Sequence, residues 1–374
     1  MKKKTNSLYI QLILSILLSS DLYAYVWDTH TLNSTDYNVF INKSFSVALD
    51  QNNHPHLTYY NAKDKDLQYA RFDGNWSIST IDGLNSDVGM WSSVAIDKSN
   101  TPHVAYFDNT IRGLKYAKQE GSTWNTEVVH SVGDTGYDSS LAIDSNGNPH
   151  ISYTTRNIFQ LGYATKEGEQ WVNQNISSTG VSGSNVSIVL DDQDNVFIAN
   201  SMAFPWRIEL VSGSLNSWNN ETVEITDFGA NGPCLRLDDN QLPHVAYQVA
   251  GYEDVVYAYF DGANWNEIII CDGIFPDTAV SMALDDHGNP HFLFDEEDIV
   301  THAYFDNNML IKEILGNGKV GKDSLEIDDF GNIHILYYDS TNQAVQYALG
   351  TIPEPCTLSL LALGAILAGR KRRT

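Results

Sequence analysis

The chain has 374 residues, with 47 acidic and 22 basic side chains and a net charge of −25 at pH 7. A balance that acidic repels nucleic acid and anionic lipid and keeps the chain soluble, so nucleic-acid binding is excluded as a function. Processing sharpens the imbalance. Residues 1–24 and 351–374 hold seven of the basic residues but only Asp21 and Glu354 of the acids, leaving a body with 45 acids and 15 bases.

The first element in chain order is a leader. Lys2, Lys3 and Lys4 form a basic start, Leu8 to Leu18 a short apolar core, and Ala24 a cleavage position. The apolar run is too short for a membrane span, so residues 1–24 are expected to be a secretory signal peptide.

From there the chain repeats itself. The stretch "LAIDSNGNPHISY" recurs as "VAIDKSNTPHVAY", "VALDQNNHPHLTY", "LRLDDNQLPHVAY", "MALDDHGNPHFLF" and "LEIDDFGNIHILY". Its anchors are Asp50, Asp97, Asp144, Asp191, Asp238, Asp285 and Asp328, spaced by 47 residues five times and then by 43. Six residues after each anchor stands His56, His103, His150, Phe197, His244, His291 or His334. Nineteen after it stands Tyr69, Tyr116, Tyr163, Leu210, Tyr257, Tyr304 or Tyr347. Trp76, Trp124, Trp171, Trp218 and Trp265 follow in the first five repeats. Each repeat reads as four strands: an alternating segment before the Asp, an Asn/Gly/Pro turn, a strand opening at the His, a third around the Tyr, and a fourth from the Trp. Four strands in a repeat of ~40–50 residues is the pattern of a β-propeller blade.

The predicted fold is therefore all-β: a seven-bladed propeller of four-stranded antiparallel blades over residues 25–350. The last repeat ends near Leu349 without a fourth strand. "YVWDTHTLN" (Tyr25 to Asn33) carries Trp27 in the manner of the fourth strands and is expected to supply the outer strand of the last blade, closing the ring. The "G-x-x-W" turns, such as Gly121 to Trp124, resemble the Asp-box (BNR) repeats of glycan-active propellers. The Ser-x-Asp opening of that motif is missing, so the resemblance implies the fold and transfers no catalytic residue.

A single active site does not need its residues written six or seven times, and a scaffold does. The repeated Asp is expected to accept turn N–H groups, the His to hydrogen-bond across its hairpin, and Tyr and Trp to pack between blades. The alternative is a multivalent lectin with one site per blade. Asp285-Asp286 is a weak calcium signal, because no full loop with a closing Glu appears; no cofactor is expected. Cys234 and Cys271 fall at different repeat positions and are not expected to pair.

Function is sought where the repeat is broken. Six residues before the anchors stand Ser44, Trp91, Asp138, Asn185, Gly232, Ala279 and Lys322, a chemically mixed ring expected at the channel rim. Repeat four has "SMAFPWRIE", with Phe204, Trp206 and Arg207. Of the body's five arginines, Arg112, Arg156 and Arg207 fall in the same loop of consecutive repeats and are expected on one face. Arg236 replaces an Ala in an inner strand and is expected to pair with an acid; Glu326 occupies the same repeat position. Guanidinium forks suit carboxylates, and Trp91 and Trp206 suit sugar rings. The candidate ligand site is thus Arg112, Arg156, Trp206, Arg207, Trp91 and Asp138, with an acidic exopolysaccharide or another surface protein as partner.

The chain ends "PEPCTLSLLALGAILAGRKRRT". Pro353-Glu354-Pro355, an apolar stretch from Leu358 to Ala368 and the cluster Arg370, Lys371, Arg372, Arg373 resemble the PEP-CTERM sorting signal of Gram-negative bacteria. That resemblance implies an exosortase partner, transient membrane contact through residues 351–374, and final placement at the cell surface or in an exopolysaccharide matrix. The reading is an exported, non-catalytic binding propeller. The alternative is a glycan-active enzyme, a polysaccharide lyase or glycoside hydrolase, on the same fold; no motif singles out its catalytic residues.

Overall fold

The computed structural model describes residues 24–34, 44–157, 159–176, 181–203, 206–225, 229–249, 254–272 and 279–352. Residues 1–23 of the leader, the sorting signal from Pro353 onward and Phe204 lie outside them. The chain divides into a large unit, Thr29–Leu349, and a second made of residues 1–28 and 350–374. In the second unit Trp27 covers Gly350, where a Cβ would come within 2.7 Å of the indole.

The described residues are all strand and turn. Repeats two to five each form a separate four-stranded antiparallel sheet. In repeat three the strands are Thr135–Ile143, Pro149–Thr155, Gln160–Glu167 and Gln170–Asn175. Ile151 stands opposite both Leu141 and Ala164, so inner-strand apolar side chains share one face with those of the next two strands. Repeats one, six and seven join the N-terminal strand in an eleven-stranded sheet. The join is one 19-residue strand, Met309–Ile327. Its first half, to Asn317, pairs with Ile299–Asp306, and its second half, from Gly318, pairs with Ile333–Asp339. Gly318 permits the passage: a Cβ there would meet the Tyr338 carbonyl oxygen at 2.0 Å. Val26–Ser34 lies beside Ala344–Thr351 at the sheet's end.

The repeated side chains build each repeat and its junction with the next. Asp50 Oδ1 accepts the N–H groups of Asn52 and His54, both at 2.9 Å. Asp144 does the same for Asn146 and Asn148. Burial alone would raise the Asp50 carboxyl, but these donors outweigh it and bring its pKa down to about 2. His56, His150, His244 and His334 each face the anchor Asp through Nε2, and their Nδ1 meets the +19 tyrosine hydroxyl at 2.6–2.7 Å. His103 is placed likewise on Tyr116. Repeat six departs: His291 Nδ1 meets His302 Nε2 at 3.1 Å, and Tyr304 stacks on the His291 ring. The +19 tyrosine then packs edge-on against the Trp of the following repeat, with Tyr69 on Trp124, Tyr116 on Trp171 and Tyr163 on Trp218.

A second set of junctions escaped the sequence reading. Four residues before the anchors stand Ser46, Ser93, Ser140, Ser187, Cys234 and Ser281. Each accepts the N–H of the next repeat's first strand: Val94 at 3.0 Å, Leu141 at 3.1, Ile188 at 3.2, Leu235 at 3.1, Met282 at 3.3 and Leu325 at 3.1 Å. At these six junctions a short side chain thus ties the first strand of one repeat to that of the next, and at the seventh, between repeats seven and one, the two first strands meet directly at Ser46 and Asp323. Cys234 is a thiol in the serine's place, while Cys271 Sγ contacts Glu296 at 3.0 Å. Ser140→Ala strands the buried Ile188 N–H and is expected to cost about 1–3 kcal/mol, whereas Cys234→Ser restores the common bridge and stays within about 1 kcal/mol of wild type. Urea unfolding of the two variants measures the difference.

Candidate functional site

The loops joining second to third strands and fourth to first strands meet around repeats two and three. Asp108 Oδ1 caps the Thr110 and Ile111 N–H groups, turning the chain so that Arg112 takes a left-handed conformation with φ 52°. The Thr135 N–H donates to Arg112 O at 3.3 Å, and the Arg156 N–H donates to Asp134 O at 2.9 Å. These bonds gather Arg112, Asp134 and Arg156, which come from three different loops. Asp134 Oδ2 takes the Arg112 guanidinium, whose side chain is still 59% exposed. The Arg156 guanidinium lies 4.9 Å from the centre of the Tyr137 ring.

Tyr137 rests on an aromatic bed. Its ring is 4.7 Å from Trp91 and 4.4 Å from Phe107, and Tyr60 and Met90 complete the cluster. Burial and then Asp134 push the Tyr137 hydroxyl up, with Arg156 opposing, so it is a neutral donor at physiological pH. The loops of repeats one to three also carry exposed apolar side chains: Leu84, Ile111, Val132 and Phe159. Two exposed guanidiniums on neighbouring loops can hold a carboxylate, and the buried aromatic bed beneath them supports the Arg156 end.

Three sequence expectations change here. Trp91 and Asp138 do not stand on a rim. They are 6% and 5% exposed, and Ser44, Ala279 and Lys322 of the same repeat position are buried too. Their mixed chemistry is interior chemistry: the Trp91 ring packs on Phe107 and Tyr137 while its backbone N–H donates to Ser44 Oγ at 3.0 Å, and Lys322 Nζ donates to the carbonyl oxygens of Asp138 and Val186. Arg207 does not present a third guanidinium. It is turned onto Glu209 of its own strand at 3.2 Å, with 11% of its side chain exposed, and half-buried Trp206 packs over Gly229. The grouping of three arginines thus contracts to two.

Arg236 meets Glu326 at 3.1 Å, on the wall of a cavity of about 720 Å³ lined by inner strands and opening among Gln51, Asn53 and Asp329. His130, a histidine outside the repeated position, ends its strand beside the arginine loops. Its Nδ1 meets the buried Tyr153 hydroxyl at 2.8 Å, and burial lowers its pKa. Tyr106, the same position one repeat earlier, donates to Asp82 at 2.7 Å. His130 therefore fills a junction role that a carboxylate fills next door. Among the described residues, no group of three His, Cys, Asp or Glu side chains is arranged to hold a metal ion.

No family model and no curated protein matches the sequence. Solved structures do match in fold. An ulvan lyase of polysaccharide lyase family PL25 aligns with a TM-score of 0.59 at 11% identity, over 90% of this chain and 98% of that one. An oligogalacturonate lyase in complex with manganese aligns with a TM-score of 0.54 at 12% identity, over 88% and 97%. YCF48 from Cyanidioschyzon merolae aligns with a TM-score of 0.53 at 11% identity, over 86% and 98%. At such identities the likeness bears on fold alone, and that fold is a β-propeller.

Proposed function

We propose that this protein is an exported, non-catalytic β-propeller that binds an acidic glycan through Arg112 and Arg156. The observation that carries the reading is the pair of solvent-facing guanidiniums, one stacked on Tyr137, above a bed of Tyr137, Trp91 and Phe107 in an otherwise acidic chain. Net charge prevents diffuse attraction of polyanions, so a uronate must be caught locally by such forks. Glycan-active neighbours on the same fold, lyases of uronate-bearing polymers among them, support the choice of a sugar over other anions.

The reading includes seven blades closed into a ring. Support comes from the seven anchors, from Val26–Ser34 lying beside the last strand, and from Tyr347 packing edge-on against Trp76 of repeat one at 4.9 Å, as Tyr69 packs on Trp124. It also includes export after cleavage near Ala24 and exosortase processing near Pro353-Glu354-Pro355, with final residence at the cell surface or in the matrix.

Titration of the mature protein with polygalacturonate tests the function. Arg156→Ala is expected to weaken binding about tenfold or more, the scale of a charge-assisted hydrogen bond lost. Equal affinity of wild type and variant sinks the proposal, and shortening of the polymer with new unsaturated ends transfers the site to the lyase alternative. The intact mass of the exported protein checks processing in the same sample; retention of Arg370 to Arg373 contradicts it.

A further inference from the structure

The cavity of about 720 Å³ among the inner strands is a recess. The described residues six before the anchors shut one end of it. Ser44, Trp91, Asp138, Gly232, Ala279 and Lys322 are all buried, and Lys322 Nζ of repeat seven reaches the carbonyl oxygens of Asp138 and Val186 in repeats three and four. The other end opens at the anchor turns, among Gln51, Asn53 and Asp329. The loops that carry Arg112 and Arg156 stand at the opposite end of the strands, so the recess is separate from the glycan site and does not rest on that reading.

Its walls differ in chemistry. Two residues before the anchors, repeats one to four line it with Ala48, Ala95, Ala142 and Val189. At the same position repeats five and seven carry Arg236 and Glu326, which meet at 3.1 Å across the intervening repeat. Arg236 already donates to Glu326 Oε1, to the Leu235 carbonyl oxygen at 2.9 Å and to Cys234 Sγ. Among the described residues Arg236 is the one hydrogen-bond partner of the Glu326 carboxylate, whose side chain keeps 30% of its surface exposed. Burial raises the Glu326 pKa and Arg236 opposes it, so one guanidinium does not offset what the carboxylate loses on leaving water. Asp323 lies on the same wall, with Ser93 Oγ at 3.4 Å. The lining holds four carboxylates, on Asp50, Asp323, Glu326 and Asp329, against the single guanidinium of Arg236.

We propose that this recess binds a small organic ammonium ion, with its charged end at Glu326 and Asp323 and its hydrocarbon body against Ala48, Ala95, Ala142 and Val189. An excess of carboxylates between low-dielectric walls concentrates cations and repels anions. An inorganic cation leaves the apolar side uncovered, and an uncharged apolar molecule leaves Glu326 with one partner. The volume falls within the ~300–1,000 Å³ of small-molecule sites.

The test is calorimetric titration of the protein at pH 7.5 with phenethylammonium. The comparison ligands are 2-phenylethanol, which has the body without the charge, and ethylammonium, which has the charge without the body. Phenethylammonium is expected to bind about tenfold or more tighter than either, the scale of a hydrogen bond to a charged acceptor or of a buried hydrocarbon body. Glu326→Gln keeps an acceptor for Arg236 and is expected to bring phenethylammonium down to the level of the alcohol. Ala142→Phe fills the recess from the apolar side and is expected to abolish binding of both aromatic probes. Ala95→Leu is the milder filling variant if the larger side chain costs the fold, and melting temperature is recorded for each. Glu169→Gln removes the same charge on an exposed turn and is expected to change nothing. Equal affinity for phenethylammonium and ethylammonium, or a loss that Glu169→Gln shares, reduces the effect to the acidity of the whole surface and overturns the inference. Phenethylammonium binding that survives the filling of the recess in a folded variant overturns it too, as does a wild type that does not bind phenethylammonium.

Discussion

Taken from pH 7.5 to pH 4, the protein is expected to lose most of its stability, with the loss beginning near pH 6.5. The cause is the set of histidines built into the repeats. Burial lowers His56 and His103 from 6.5 to about 4, against the opposing pull of their anchor aspartates, and lowers His291 to about 3. It lowers His150, His244 and His302 as well. A group whose pKa is depressed on folding takes up its proton more readily when unfolded. For a histidine the native state is then favoured fully above 6.5 and progressively less as pH falls toward the folded value. At pH 4, His56 and His103 each withdraw about 3 kcal/mol, and His291 a similar amount. Three such terms rival the ~5–15 kcal/mol that holds an ordinary domain together.

The sign is diagnostic, because two other effects run the opposite way or arrive later. Partial neutralisation of a strongly acidic surface relieves repulsion as pH falls. The anchors Asp50, Asp97, Asp144 and Asp328 are held below the ordinary carboxylate value, Asp50 at about 2, and withdraw their contribution only as pH falls through that ordinary value of 3.8. Acid unfolding driven by aspartates would therefore start below pH 4, and one driven by the histidines starts two pH units higher. Melting temperature followed by circular dichroism across this range separates them. A melting temperature flat from pH 7 to 4.5 would show that the histidines carry no such burden.

The period of 47 made the strands, their order and the scaffold role of Asp and His legible, because every repeat must bury the same face and cap the same turn. What periodicity cannot say is which neighbour a repeated position faces. Ser46, Ser93 and Ser140 looked like the small half of an alternating strand, yet each bridges to the next repeat some 48 residues on. The mixed ring of Trp91, Asp138 and Lys322 looked like surface variety, yet it is buried, and its variety consists of different ways of filling an interior. Arg207 was grouped with Arg112 and Arg156 by loop position alone; Glu209, two residues on, faces the same way along the strand and captures it. The pairing of Arg236 with Glu326 was readable because both stand where other repeats have a small apolar residue, and two long opposite charges at one depth of a channel have one another to meet.

Removing residues 25–33 is expected to lower the melting temperature by roughly 10 °C or more, since it strips a buried side chain and a row of strand hydrogen bonds at once. Leu32 is 9% exposed and shares a core with Phe45, Val47, Leu57, Tyr59, Val345 and Tyr347, which belong to repeats one and seven. Thr31 Oγ1 takes a hydrogen bond from Gln346 Nε2 at 2.8 Å, and the His30 ring sits 6.3 Å from both Trp76 and Tyr347. Nine residues from one end of the chain thus cover the edge of Ala344–Thr351 and touch the first repeat's Trp. Without them that edge offers unpaired N–H and C=O groups to any other chain, so association at high concentration is expected beside the loss of stability. Leu32→Ala isolates the packing share, at about 2–5 kcal/mol. A synthetic peptide of residues 25–34 added to the truncated protein supplies the strand in trans and is expected to raise the melting temperature again, as edge-adding peptides do. A truncated protein that melts with the full-length one, or that the peptide does not rescue, would mean that the N-terminal strand rests on the fold without closing it.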